Sequence, residues 1–217
     1  MKILVVQNRM GIGDTVIFLP FIKAISQRFE TPINLLVKEN SKADQYLNQT
    51  NYLDKIIFLK RGNNKNDQHN GIIGSFRLAQ DLKKYKFNKI FIFSSSLRFK
   101  LIAKLAKIKE IYQYPLFKKN NQHIIQSAKD LIKNSLGLDV TSSPQIQVDN
   151  DLIKKAIFKF HINNNELNIL FGIGGSGPTK RIPSKTFLSV MEKIYNKKKC
   201  RFFLATGKDI EEQIILN

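Results

Sequence analysis

Two glycine-containing turns hold the side chains best placed to do chemistry. The first, Gly11-Ile12-Gly13-Asp14, follows the apolar run Ile3-Leu4-Val5-Val6 and leads into a segment of helical period. The second, Gly174-Gly175-Ser176-Gly177-Pro178-Thr179-Lys180-Arg181, follows Leu167-Asn168-Ile169-Leu170-Phe171. In the first turn the glycines let backbone come close to a ligand, and Asp14 has two readings. It is either an N-cap with no chemistry or a general base that takes a proton from a sugar hydroxyl. In the second, glycine-rich amides, a helix N-terminus and the adjacent cations Lys180 and Arg181 make a diphosphate cradle, or else a turn with two solvated charges. A third candidate is Ser94-Ser95-Ser96-Leu97-Arg98. It reads either as an ordinary serine-capped helix or as a binder of phosphate or sugar hydroxyls through Ser95 and Arg98.

Neither turn is a standard nucleotide fingerprint. A third glycine of the dinucleotide motif would fall at Val16, and Asp14 would put negative charge against a pyrophosphate, which disfavours a nicotinamide or flavin oxidoreductase. Lys180 lacks the Walker spacing and has no Ser or Thr directly after it. His69, His123 and His161 are scattered and have no Cys or carboxylate cluster beside them, so no metal and no cofactor are expected; surface or packing roles are the default for these histidines.

The elements that must position these turns alternate between short apolar runs and helical-period segments, the pattern of an α/β chain with parallel sheets. Strands are predicted near 2–7, 33–38, 55–60, 88–94 and 110–114. Helices are predicted near 15–29, 41–49, 73–86, 97–107 and 122–136, with Gly137 ending the last. The run Lys89-Ile90-Phe91-Ile92-Phe93 implies a strand buried on both faces. The segment from Arg61 to Gly71 has no apolar periodicity and reads as a mobile surface loop. A linker at Asp139 to Asp149 separates a first domain, 1–150, from a second, 151–217. There a helix near 151–160, a strand at 167–171, a helix near 184–196 and a strand at 201–205 restart the cycle. A doubly wound domain needs on the order of 100 residues or more, so the second domain is expected to be incomplete in this sequence.

Composition narrows the partners. With 36 Lys and Arg against 17 Asp and Glu, the 217 residues carry a formal charge of +19, which either reflects an AT-rich coding bias or points to an anionic partner. No nucleic-acid recognition motif accompanies the charge, so nucleic acid is not the expected partner. The single cysteine, Cys200, precludes an internal disulfide and reads as a buried structural thiol. The N-terminal apolar run is too short for a signal peptide or membrane span, which gives an expected cytoplasmic location with at most peripheral membrane contact.

Taken together, the residues resemble glycosyltransferase family 9, the lipopolysaccharide heptosyltransferase family. The resemblance is carried by Lys2-Ile3-Leu4-Val5-Val6, Gly11-Ile12-Gly13-Asp14 and Pro20 with Ile22-Lys23-Ala24-Ile25. It continues through Tyr52-Leu53-Asp54-Lys55-Ile56-Ile57, Leu82 to Ile90, and Gly174-Gly175-Ser176 with Lys180-Arg181-Ile182-Pro183. It implies an α/β, GT-B-like fold with two Rossmann-like domains, and metal-independent, inverting transfer from an ADP-activated sugar. The acceptor would be the anionic lipid A and core oligosaccharide at the inner face of the inner membrane. Asp14 would be the base, Gly11, Gly13, Ser95 and Arg98 would lie on the acceptor side, and Gly174, Gly175, Ser176, Lys180 and Arg181 would hold the donor. Asn8 stands where the family often has a basic residue, with Arg9 beside it. The competing expectation is a non-catalytic nucleotide- or nucleic-acid-binding module of the same fold.

Overall fold

The computed structural model describes residues 1–9, 11–61, 68–116, 122–174 and 182–206. Residues Met1–Val148 form one compact unit, and a second begins at Asp149.

The first unit is built on five parallel strands, β1 (Ile3–Val6), β2 (Ile33–Lys38), β3 (Leu53–Leu59), β4 (Lys89–Ile92) and β5 (Glu110–Gln113), in the order β3-β2-β1-β4-β5. Strand alternation splits the core in two. Ile3, Val5, Leu35, Phe91 and Phe93 pack on one face with Phe18, Phe21, Ile22 and Ile25 of α1 (Ile12–Phe29) and with Ala128 and Ile132 of α5 (Ile124–Leu136). Leu4, Val6, Leu36, Ile90 and Ile92 pack on the other face with Leu78 and Leu82 of α3 (Gly71–Tyr85) and with Phe99 and Ile102 of α4 (Leu97–Leu105). Burial on both faces is what the uninterrupted apolar strands require, and α/β crossovers supply the covering helices.

The helices depart from the predicted bounds where backbone conformation overrides apolar spacing. Helix α1 begins at Ile12, three residues early, because Gly11 is its N-cap at φ 99° and ψ 164°. Its fully buried apolar positions, Phe18, Leu19, Phe21, Ile22 and Ile25, recur at helical spacing, and Glu30 in the left-handed region ends it. The helix expected at 41–49 is a 3-10 turn, Glu39–Ser41, followed by a single helical turn α2 (Ala43–Tyr46). Lys42 between them is left-handed at φ 49°, which breaks the helical run. Gly137, at φ 71°, ends α5 as its sequence position implies.

The segment 61–71 is not simply a surface loop, although its residues 62–67 lie outside the described ones. His69 is 5% exposed. Its Nδ1 accepts from the Lys60 amide at 3.0 Å, and its own amide donates to the Lys60 carbonyl at 3.0 Å. A methyl group built on Gly74 would stand 2.3 Å from the His69 carbonyl carbon, so α3 is seated directly on this turn. The Arg98 guanidinium closes the assembly from α4, donating to Ser75 Oγ at 2.9 Å and to the His69 carbonyl.

His69 Nε2 lies 3.7 Å from Asp81, too far for a hydrogen bond but close enough for charge attraction. Burial nonetheless holds the imidazole below its ordinary 6.5, helped by Lys60 and Arg98, while Asp81 opposes the shift. The unfolded chain therefore takes up a proton at higher pH than the folded one. This group's contribution to stability is complete above about pH 6.5 and is lost as the pH falls toward the folded value. We expect the urea midpoint of the native protein to drop between pH 7 and 5 more steeply than that of His69→Gln; parallel pH profiles would rule this out.

In the second unit, α6 (Asn150–Lys159) precedes a parallel pair, β6 (Leu167–Gly172) and β7 (Cys200–Ala205), connected through α7 (Ser184–Lys197). Asp149 caps α6 by accepting from the Asp151 amide at 2.7 Å. Cys200 opens β7 and is half-buried rather than fully buried. Among the described residues, no helix is long and apolar enough to cross a membrane.

Candidate active site

In the strand order β3-β2-β1-β4-β5, chain direction across the sheet reverses between β1 and β4. The two crossovers leave to opposite sides there, and their divergence opens a crevice beyond the carboxyl ends of the strands. The register aligns those ends: Val6 pairs with Ile92, and Ile92 pairs with Gln113. The residues that follow, Asn8 and Arg9 after β1, Ser94 and Ser95 after β4, and Tyr114 after β5, line a cleft of about 340 Å³. Its apolar floor is Phe18 against Phe93, with ring centroids 4.9 Å apart, and Tyr114 meets Phe93 edge-on at 6.2 Å.

Around this crevice the protein leaves polar atoms unpartnered. Gln7 Nε2, Ser94 Oγ, both side-chain polar atoms of Gln113 and the Tyr114 hydroxyl are buried without a hydrogen-bond partner. Unsatisfied buried groups cost about 1–3 kcal/mol each, and they gather here at three neighbouring strand ends. Gln7 Oε1, by contrast, is used: it accepts from the Arg9 amide at 3.1 Å and holds the turn after β1. Burial raises the Tyr114 phenol above its ordinary value, against a smaller pull from Arg9, so it stays a neutral donor and acceptor. The Arg9 side chain is exposed. The residues that line the cleft thus bring amide, cationic and hydroxyl groups together, from Asn8, Arg9, Ser94, Ser95 and Tyr114.

Asp14 is not the helix cap: Gly11 holds that position, no side chain caps α1, and Asp14 is the third helical residue, half-exposed. It stands one turn before Phe18, on the same helix face, and Phe18 rather than Asp14 is the α1 residue that lines the cleft. Gly11 and Gly13 differ in what they require. Gly11 sits in a region of φ and ψ open essentially to glycine alone, whereas Gly13 is helical with nothing within 4 Å of an added methyl group. Gly13 thus lowers helix stability without any demand from the backbone, and the space beside it is free for a ligand. We expect Gly13→Ala to raise thermal stability slightly, by about 0.5–1 kcal/mol; a lower melting temperature would contradict this.

The Ser94–Arg98 segment divides its roles. Ser96 is the N-cap of α4, accepting from the Phe99 amide at 3.4 Å, which is the structural reading of this segment. Ser95 is exposed at the cleft. Arg98, expected on the acceptor side, directs its guanidinium to Ser75 and the His69 carbonyl and so fastens α3 to α4. Sequence reasoning singled out Asn8, with Arg9 beside it, and missed Gln7, Gln113 and Tyr114. The signal available was a polar residue at the end of each apolar strand or within two positions of it.

On the second unit, Gly174 is exposed just beyond β6, and α7 begins at Ser184 with no side-chain cap. Gly175, Ser176, Lys180 and Arg181 lie outside the described residues. Among those described, no cluster of three or more metal-ligating side chains occurs.

No family model matches the sequence, and no curated protein does. Solved structures do match. The family 9 glycosyl transferase of Veillonella parvula is 15% identical, with 97% of this chain and 71% of that chain covered and a TM-score of 0.66. The ADP-heptose lipopolysaccharide heptosyltransferase II of E. coli is 17% identical, covering 100% of this chain and 68% of that one at a TM-score of 0.69. The E. coli heptosyltransferase WaaC with ADP is 16% identical, covering 98% and 70% at 0.64. The chain therefore has the α/β, GT-B-like fold seen in the family 9 glycosyltransferases.

Proposed function

We propose that the chain belongs to a glycosyltransferase that moves a heptose or related sugar from an ADP-activated donor to lipopolysaccharide core, with inversion and without a metal. The observation that carries this reading is the cleft at the β1/β4 reversal, where the unpartnered Ser94 and Tyr114 hydroxyls flank an apolar floor of Phe18 and Phe93, with Asp14 one helical turn before Phe18. The fold shared with structures of heptosyltransferases supports it.

In this reading the acceptor occupies the cleft of the first domain, 1–150, and the donor occupies the second, 151–217. Asp14 takes the proton of the acceptor hydroxyl as its oxygen attacks the anomeric carbon from the face opposite the diphosphate. The anomeric carbon–oxygen bond breaks, and ADP leaves with the electron pair. Gly174, Gly175 and Ser176 offer amides to the departing diphosphate, and Lys180 and Arg181 neutralise it. Gly11 fixes where α1 and Asp14 begin, Gly13 leaves room, Ser95 meets sugar hydroxyls and Arg9 meets acceptor phosphate. Arg98 acts at one remove, holding the α3 and α4 edge in place. The excess of cations favours an anionic lipid acceptor and peripheral contact with the cytoplasmic face of the membrane.

Calorimetric titration with ADP and then ADP-heptose tests the donor assignment. Saturable binding of both, weakened at least tenfold by Lys180→Ala, is expected; a folded protein that binds neither would shift the reading to another donor or to a non-catalytic module.

A further inference from the structure

Helices α3 and α4 cover one sheet face with one side and turn a second apolar side outward. On α4 the core takes Phe99, Ile102 and Ala103, yet Leu97, Leu101 and Leu105, spaced four apart on one stripe, are 53%, 51% and 46% exposed. On α3 the core takes Gly74, Leu78, Ala79 and Leu82, yet Ile72, Ile73 and Phe76 are 79%, 69% and 53% exposed. The helices are neighbours joined by the Arg98–Ser75 hydrogen bond, and Ile72 and Phe76 flank Ser75 on α3. Six large apolar side chains therefore crowd one outer surface. Scattered exposed apolar residues need no explanation, but a contiguous patch of this kind does.

The charge around the patch is one-sided. Arg77, Lys83 and Lys84 lie on α3 and Lys100 and Lys104 on α4, Arg98 being held by Ser75 and the His69 carbonyl, against one carboxylate, Asp81, which pairs with Lys84 at 2.8 Å. We propose that the α3–α4 face docks on an anionic lipid bilayer, with the isoleucines, leucines and Phe76 entering the headgroup–acyl boundary and the cations meeting lipid phosphates. A second copy of the chain is a poorer occupant, because a two-fold contact would set this cationic rim against itself. Helices α3 and α4 start at the carboxyl ends of β3 and β4, the same sheet edge as the cleft. Docking would thus bring the cleft toward the headgroups where a lipid-anchored acceptor sits. That consequence rests on the transfer reading; the docking itself does not.

Flotation with vesicles of phosphatidylcholine, alone or mixed with phosphatidylglycerol, tests the proposal. The protein is expected to float with the anionic vesicles and not with the neutral ones. Leu97→Gln combined with Leu101→Gln and Phe76→Gln should lower partitioning more than about tenfold, as should Lys100→Glu with Lys104→Glu. The same charge change on the opposite sheet face, Lys23→Glu with Arg28→Glu on α1, should lower it less than about threefold. All substituted positions lie on the protein surface, so thermal melts should be close to native, and ADP binding by calorimetry should be unchanged. Absence of flotation, or equal loss in both charge variants, would overturn the proposal. So would concentration-dependent dimerisation in sedimentation that the leucine variant abolishes, since that would assign the face to a second copy.

Discussion

Replacing Asp14 by Ala is expected to cut sugar transfer by about 10²–10⁴-fold, the range that a positioned general base contributes. Donor affinity should stay within about twofold, because Asp14 lies in the first unit and the proposed reading puts the donor on the second. Folding should be nearly untouched, since the side chain is half-exposed and is not the cap of α1. The pattern of lost kcat with retained donor binding and retained stability separates a base from a residue that merely holds the helix. A variant that melts several degrees lower while turning over normally would assign Asp14 to structure.

Phe93→Ala should do the reverse. Phe93 is 2% exposed and packs against Phe18 at 4.9 Å, Phe21 at 6.2 Å and Tyr114 at 6.2 Å. Removing the ring leaves a cavity among three aromatic neighbours, at a cost of about 3–5 kcal/mol. Because Phe93 also floors the cleft, the variant should lose acceptor binding together with stability. Urea denaturation gives the first quantity and KM for the acceptor the second. A loss below about 1 kcal/mol would mean that the core closes over the gap.

Much of this fold was legible because its signals are local. The apolar runs at Ile3–Val6 and Lys89–Ile92 state their own burial, and Gly137 states the end of α5. The start of α1 was missed because apolar spacing does not reveal that Gly11 adopts a conformation closed to other residues. The cleft was less legible, for a different reason. Asn8, Ser94 and Tyr114 are far apart in sequence and meet only because β1 lies between β2 and β4, with β5 outside, an order that chain order does not dictate. Arg98 shows the opposite error: a cation at a helix start resembles a ligand group until His69 and Ser75 are found to occupy it.

The most direct test of the account is transfer itself. Incubation of the protein with ADP-heptose and a heptose-deficient lipopolysaccharide core acceptor, followed by mass spectrometry and assignment of the anomeric configuration, should show one added heptose with inverted configuration. The product should form in the presence of a metal chelator and disappear in Asp14→Ala. A protein that binds donor and acceptor but yields no product, or equal product from Asp14→Ala, would contradict the claim that this cleft and its carboxylate carry out glycosyl transfer.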